Sequence, residues 1–194
     1  MSFSESLRTV LLDTAWQSIG HGLAKGKPLK VEPDQLESQL SEPGASFVTL
    51  HIGEELRGCI GSLQAHRSLI CDVAENAFSA AFRDPRFPPL KDVELKGISL
   101  DISVLSQAEP MVFDSEQDLL KQIRPRVDGL ILKDGNYRGT FLPSVWKSLP
   151  DAKIFLQHLK LKAGLPADHW SEQLEVWRYT TESFAGRLTL TDTD

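Results

Sequence analysis

The sequence predicts an α+β fold of two subdomains, each a mainly antiparallel sheet with helices, the smaller inserted in the larger. Three observations predict it. Two stretches of apolar–polar alternation, 46–63 and 129–142, each turn back on themselves at a glycine and read as β-hairpins. Helix-period segments stand between and around these hairpins, without the regular β-α alternation that builds a parallel sheet. After Gln107 a strand, a helix, a hairpin and a helix start the order afresh. Residues 1–106 with 171–194 therefore form the larger subdomain, and 107–170 the inserted smaller one.

The elements follow in chain order. Leu7, Val10, Leu11 and Ala15 recur at helical spacing, so 4–21 is a helix, ended by Gly20, Gly22, Gly26 and Pro28. The polar, proline-bearing stretch 26–44 has room for one short helix near 34–40. In the first hairpin a two-residue loop beginning at Gly53 is a sound turn, but it sets Arg57 on the apolar face beside Leu50. A three-residue loop groups Val48, Leu50, Ile52, Leu56 and Ile60 instead. That register is preferred, because a one-residue slip reverses every side chain.

Ser68 caps a helix to Phe82 with Leu69, Val73 and Ala77 on one stripe. Asp84-Pro85-Arg86-Phe87-Pro88-Pro89-Leu90 cannot be helix interior. Strand 97–105 alternates again. In the insert, 111–113 is a strand candidate, Asp114 or Ser115 caps a helix, and Asp134-Gly135-Asn136 turns the second hairpin. Asp151 caps a helix through Phe155, Leu156 and Leu159, with Gly164 at its C′ position. Strand 174–179 returns to the larger subdomain, and the acidic tail 189–194 frays.

With 194 residues, the chain buries roughly 70% of its unfolded surface on folding, so no disulfide or metal is needed. The net charge of -6 argues against a general nucleic-acid coat, although local basic patches remain open. No apolar run reaches the roughly 18 residues of a membrane helix, and the start lacks a basic leader. The two cysteines, Cys59 and Cys71, then read as reduced thiols of a cytoplasmic protein.

The hairpins echo one another. Leu56-Arg57-Gly58-Cys59-Ile60 and Tyr137-Arg138-Gly139-Thr140-Phe141 both open the second hairpin strand. Arg and the Cys or Thr two positions on share a strand face, and the intervening glycine lets a backbone or a ligand come close. If the subdomains face each other, both arginines line one cleft.

Cys59 is the sharpest candidate for chemistry. Arg57 on its face favours the thiolate, Gly61 leaves room for a ligand, and such a thiol suits nucleophilic or redox work. A small buried hydrophobe is the other reading of the same residue. His51 and His66 are the candidate bases. Cys59, His66 and Cys71 lack the spacing of a zinc site. Asp84 and Arg86 sit in a proline-stiffened loop, held for a ligand or simply paired with each other. Lys121, Arg124, Arg126, Lys133 and Arg138 make a basic stretch, and the tryptophans read as core anchors. Phosphate-loop, dinucleotide and serine-hydrolase signatures are absent from the sequence.

Leu56-Arg57-Gly58-Cys59-Ile60-Gly61 is similar to the hallmark hexapeptide of the AMMECR-type domain family, in prokaryotes protein A of the AmmeMemoRadiSam system. Three further stretches share the resemblance: residues 84–90, Arg138-Gly139-Thr140-Phe141-Leu142-Pro143 with Val145-Trp146, and Lys162-Ala163-Gly164-Leu165. The family carries a glutamine where Ser144 stands here. The resemblance implies two α+β subdomains with the hexapeptide on a strand facing the cleft between them. It implies a Memo-like protein and a radical SAM protein as companions, and brings no settled activity or cofactor. The implied site is Leu56, Arg57, Gly58, Cys59, Ile60, Gly61, Asp84, Arg86, Arg138 and Thr140. It either holds a ligand, peptide or partner, or uses Cys59 as the nucleophile or redox thiol of a cysteine-dependent enzyme.

Overall fold

The structure, a computed structural model, describes residues 2–187. The helices are α1 (Glu5–Lys25), the single turn α2 (Ser38–Ser41), α3 (Leu69–Phe82), α4 (Glu116–Gln122) and α5 (Ala152–Lys162). The strands are β1 (Pro43–Gly44), β2 (Ser46–Ile52), β3 (Glu55–Gly61), β4 (Arg67–Ser68), β5 (Ile98–Leu105), β6 (Glu109–Pro110), β7 (Gly129–Asp134), β8 (Tyr137–Phe141), β9 (Glu175–Tyr179) and β10 (Thr181–Arg187). The acidic tail expected to fray lies outside the described residues. The chain mixes helices with antiparallel pairs, as an α+β protein does, and divides into two units. One holds 2–104 with 182–187, the other Leu105–Thr181.

In the first unit a four-stranded sheet runs β10-β5-β2-β3, with α1 and α3 on one face. Val48, Leu50, Leu100 and Ile102 of the sheet are fully buried against Leu11, Ile19, Val73 and Ala77 of the helices. The Ser4 hydroxyl caps α1 by accepting from Leu7 N–H at 3.3 Å. The helix runs through Gly20 and Gly22, which were expected to end it, and stops at Gly26, φ 69°. Gly22 is where α3 crosses: a Cβ there would lie 2.3 Å from the Phe82 ring. Asp72 ties the sheet to α3, accepting from Ser46 N–H (2.9 Å), Ser46 Oγ (2.8 Å), Asn76 Nδ2 (2.8 Å) and Ser62 Oγ (2.9 Å). A buried carboxylate persists only when its acceptor sites are used in this way.

The β2–β3 hairpin combines the two registers considered from sequence. Ile52 pairs with Glu55, so the turn is the two-residue Gly53-Glu54, with Gly53 at φ 62°. A bulge then leaves Arg57 unpaired, and from Leu50–Gly58 through Val48–Ile60 the pairing matches the three-residue register. Leu56, expected on the core side, pairs with His51 and is exposed.

In the second unit the order is β6-β9-β7-β8, with α4 and α5 on one face. Leu130, Leu132 and Val176 pack on Leu119, Phe155, Leu156 and Leu159. Trp146 stacks on Phe155 at 3.8 Å, its Nε1 donating to Asp128 O at 2.7 Å. Lys160 is wholly buried and pairs with Glu116 at 2.9 Å. Ser115 and Asp151 cap α4 and α5, and Gly164 has φ 88°. Three expectations are corrected here. The strand near Met111 is the shorter β6, two residues earlier, and Met111 itself keeps one bond to β9, its N–H donating to Val176 O at 2.8 Å. The last predicted strand, β9, pairs with β7 inside this unit, while the unforeseen β10 joins the first sheet. Trp170 is partly exposed rather than a core anchor.

Each unit contains the same β-β-α-β order: β2-β3-α3-β5 and β7-β8-α5-β9. Leu50 pairs with Gly58 as Leu132 pairs with Gly139, and Thr49 pairs with Cys59 as Ile131 pairs with Thr140. The two glycines serve one purpose. A Cβ on Gly58 would sit 2.1 Å from Ala80 O, and on Gly139 3.0 Å from Leu159 O. In both cases the close approach is that of a helix backbone to the strand. Gly58→Ala should therefore lower unfolding stability by about 3 kcal/mol, and Gly139→Ala by about 1, because the first overlap with backbone is severe while the second, at 3.0 Å, needs only a small shift. Urea denaturation at neutral pH measures both. A Gly58→Ala protein as stable as the parent would mean that α3 does not depend on this contact.

Candidate functional site

The site is built where the segment 84–90 passes the open edge of β3. β3 is the outer strand of its sheet, so alternate residues point their backbone groups away from β2. Cys59 is one of these. Its N–H donates to Asp84 Oδ2 at 2.9 Å, and its carbonyl accepts from Arg86 Nη2 at 3.2 Å. The proline-rich segment cannot donate a regular ladder, and a carboxylate and a guanidinium stand in for the missing strand.

Asp84 organises this junction. It is 4% exposed and also accepts from Arg86 N (3.1 Å), Nε (2.9 Å) and Nη2 (2.6 Å). The guanidinium hydrogen bonds, opposed by burial and helped by Cys59 N–H, hold its carboxyl well below the usual carboxylate range. Arg86 in turn is held above its ordinary value by the same carboxylate. The Arg86 side chain is nonetheless 54% exposed, a cation fixed on one edge and open on the other.

Arg57 is placed otherwise than expected. It is 8% exposed, with Nε on Glu94 Oε1 (2.8 Å) and Nη2 on Glu94 Oε2 (3.2 Å) and Pro88 O (3.0 Å). This pairing keeps Glu94 below the usual carboxylate range. The bulge explains the change: Arg57 is the extra residue of β3, and its guanidinium goes to Glu94 and the proline loop, not to the thiol. Phe87 is near both arginines, its ring centroid 5.9 Å from Arg57 Cζ and 5.5 Å from Arg86 Cζ.

The Cys59 thiol is half-buried and accepts from Thr49 Oγ1 at 3.3 Å. His51 shares its sheet face, but its Nδ1 is 3.2 Å from Asp101 Oδ2. His66 meets Gln64 O and Arg67, and Cys71 donates to Val31 O. The two cysteines and His66 are thus committed to separate places. Gly61 leaves no room for a ligand, since Phe47 fills it: a Cβ would meet that ring at 2.2 Å. Ile60 packs on the core.

Of the remaining predicted residues, Arg138 and Thr140 belong to the second unit. Arg138 is exposed and, among the described residues, has no hydrogen-bonding or ionic partner. The Thr140 hydroxyl is used within the fold, donating to Leu130 O at 2.9 Å and meeting Tyr179 Oη at 3.2 Å. Burial pushes the Tyr179 phenol up to about 12. In the basic stretch, Arg124 pairs with Asp128 and Lys133 with Glu175. Thr49, Phe87, Glu94 and Asp101 were not foreseen. Glu94 accepts from Lys91 N–H at 2.8 Å, and nothing in the sequence tied it to Arg57.

Because the folded carboxyl of Asp84 is depressed, its stabilisation is fully present above the unfolded carboxylate value near ~4 and fades as pH falls toward the lower folded value. Asp84→Asn should cost about 2 kcal/mol at neutral pH, less than a fully buried pair because Arg86 is half in solvent. The parent's advantage should shrink below about pH 4. Chemical denaturation at several pH values checks this, and an advantage that grows on acidification contradicts it.

The AMMECR1 family profile matches residues 12–184. A protein of Methanothermobacter thermautotrophicus is 39% identical over 180 residues, covering 90% of this chain and 91% of the relative. Protein MJ0810 of Methanocaldococcus jannaschii is 37% identical over 167 residues, 82% of this chain and 80% of the relative. The crystal structure of uncharacterized protein PH0010 from Pyrococcus horikoshii superimposes with a TM-score of 0.81 at 34% identity, covering 90% of this chain and 89% of that one. With a profile match over most of its length and relatives above one-third identity, the chain belongs to the AMMECR1 family.

Proposed function

We propose that this protein is a binding module. The surface around Cys59, Asp84 and Arg86 holds a ligand, a peptide or a partner protein, and a Memo-like protein and a radical SAM protein carry the chemistry. The observation that supports this reading is the state of Arg86. Asp84 fixes the guanidinium by two hydrogen bonds and the Arg86 backbone N–H by a third, yet more than half of the side chain faces solvent. A cation ordered in advance loses little freedom when it takes a carboxylate or phosphate, which favours recognition. The nucleophile reading has less support. Both candidate histidines are engaged away from Cys59, and Thr49 is the only hydrogen-bonding group at the sulfur among the described residues. The association with Memo-like and radical SAM companions rests on the resemblance of the hexapeptide and its companion motifs.

Calorimetric titration with the Memo-like and radical SAM proteins of the same organism tests the proposal. Arg86→Ala should weaken binding at least tenfold, and Cys59→Ser should change it less than about twofold. Binding unaffected by Arg86→Ala, or no binding to either companion, overturns it. A Cys59→Ser protein that binds normally yet abolishes turnover of the reconstituted set would move the chemistry to this chain.

A further inference from the structure

The two hairpins close their outer edges differently. In a two-residue hairpin, the pair flanking the turn is hydrogen-bonded and the pairs then alternate. Asp134–Tyr137 flanks the turn Gly135-Asn136, so Leu132–Gly139 and Leu130–Phe141 are bonded pairs. Arg138 and Thr140 then point their N–H and C=O groups away from β7. On β3 the corresponding residue, Cys59, is capped by Asp84 and Arg86. On β8 no strand, loop or side chain among the described residues bonds to the outward groups of Arg138 or Thr140.

The side chains along this edge are sorted by face. Arg138 and Thr140 project on the face away from α5, and Arg138 is exposed and, among the described residues, has no partner. Tyr137 and Phe141 project on the α5 side. Tyr137 is 52% exposed, and Lys162 Nζ lies 5.0 Å from the Phe141 ring centroid. Gly139, between them, is packed on α5, where a Cβ would lie 3.0 Å from Leu159 O.

We propose that the β8 edge accepts an extended peptide segment of a partner protein as an added strand, in which acidic and apolar residues alternate. Main-chain groups of the segment bond to those of Arg138 and Thr140. Its acidic side chains lie beside Arg138, and its apolar side chains lie beside Tyr137 and Phe141. The arrangement is independent of the Cys59 surface.

The test uses the full chain and the probe acetyl-Val-Glu-Val-Glu-Val-amide, followed by titration calorimetry and by NMR hydrogen exchange. The peptide should bind saturably and slow exchange of the Arg138 and Thr140 amides. Replacing its glutamates with lysines should weaken binding at least tenfold. Arg138→Pro removes an N–H that bonds to nothing among the described residues, so the protein should melt near the parent and lose the peptide. Arg138→Gln, which keeps the N–H, should bind weakly but measurably. Four results overturn the proposal: no amide protection at about 1 mM peptide, equal binding of the lysine peptide, unchanged binding by Arg138→Pro, or protection by a single-stranded oligonucleotide but not by the peptide.

Discussion

The buried carboxylate of Asp84 is the constraint on which the rest of the Cys59 surface depends. It joins two stretches that are far apart in sequence by taking the Cys59 N–H and the Arg86 guanidinium at once. Without it, β3 would expose an open edge at its central residue, and Arg86 would be one more solvated arginine. The carboxylate can remain ionised in this setting because each oxygen is matched by charge-assisted donors. Phe87 and Pro88 then follow, the first within 5.9 Å of both guanidinium carbons and the second accepting from Arg57.

The hexapeptide can be understood residue by residue within this frame. Gly58 lets the Ala80 backbone of α3 touch the strand, and Ile60 enters the core. Cys59 faces the opposite side, beside Thr49. Arg57 occupies the bulge, which frees it to reach Glu94. Four neighbouring residues thus have four different roles, and only Cys59 leaves a reactive atom on the side of Arg86. The second hairpin repeats the glycine contact through Gly139 but has no bulge, so Arg138 stays in the ladder opposite Lys133 and remains exposed.

Much of the fold was legible in the sequence. Alternation at Val48 and Leu50 and again at Ile98 to Val104 marked strands whose inner faces are buried, although Ile52, expected on the same face, is exposed at the strand end, and Ser4, Ser115, Asp151 and Gly164 marked helix ends that the structure keeps. Gly22 misled because a glycine that ends a helix and one that admits a crossing helix look alike without the partner. The strand β10 carries little apolar pattern, and β9 reads the same whichever sheet receives it; pairing is a long-range property. At the site, the motif of Asp84 and Arg86 was visible, but its attachment to the backbone of Cys59 was not. The destination of Arg57 was hidden for a related reason. A one-residue bulge decides it, and local pattern does not report where a hairpin absorbs an extra residue.

The most direct test of this account is the titration of the Asp84 carboxyl itself, followed by carbon-detected NMR together with the Cys59 amide proton. The account predicts that Asp84 stays ionised after the ordinary carboxylates of the chain have protonated, and that the Cys59 amide resonance moves only when Asp84 finally titrates. An Asp84 carboxyl that protonates near ~4 with the others, or a Cys59 amide indifferent to it, would contradict the account.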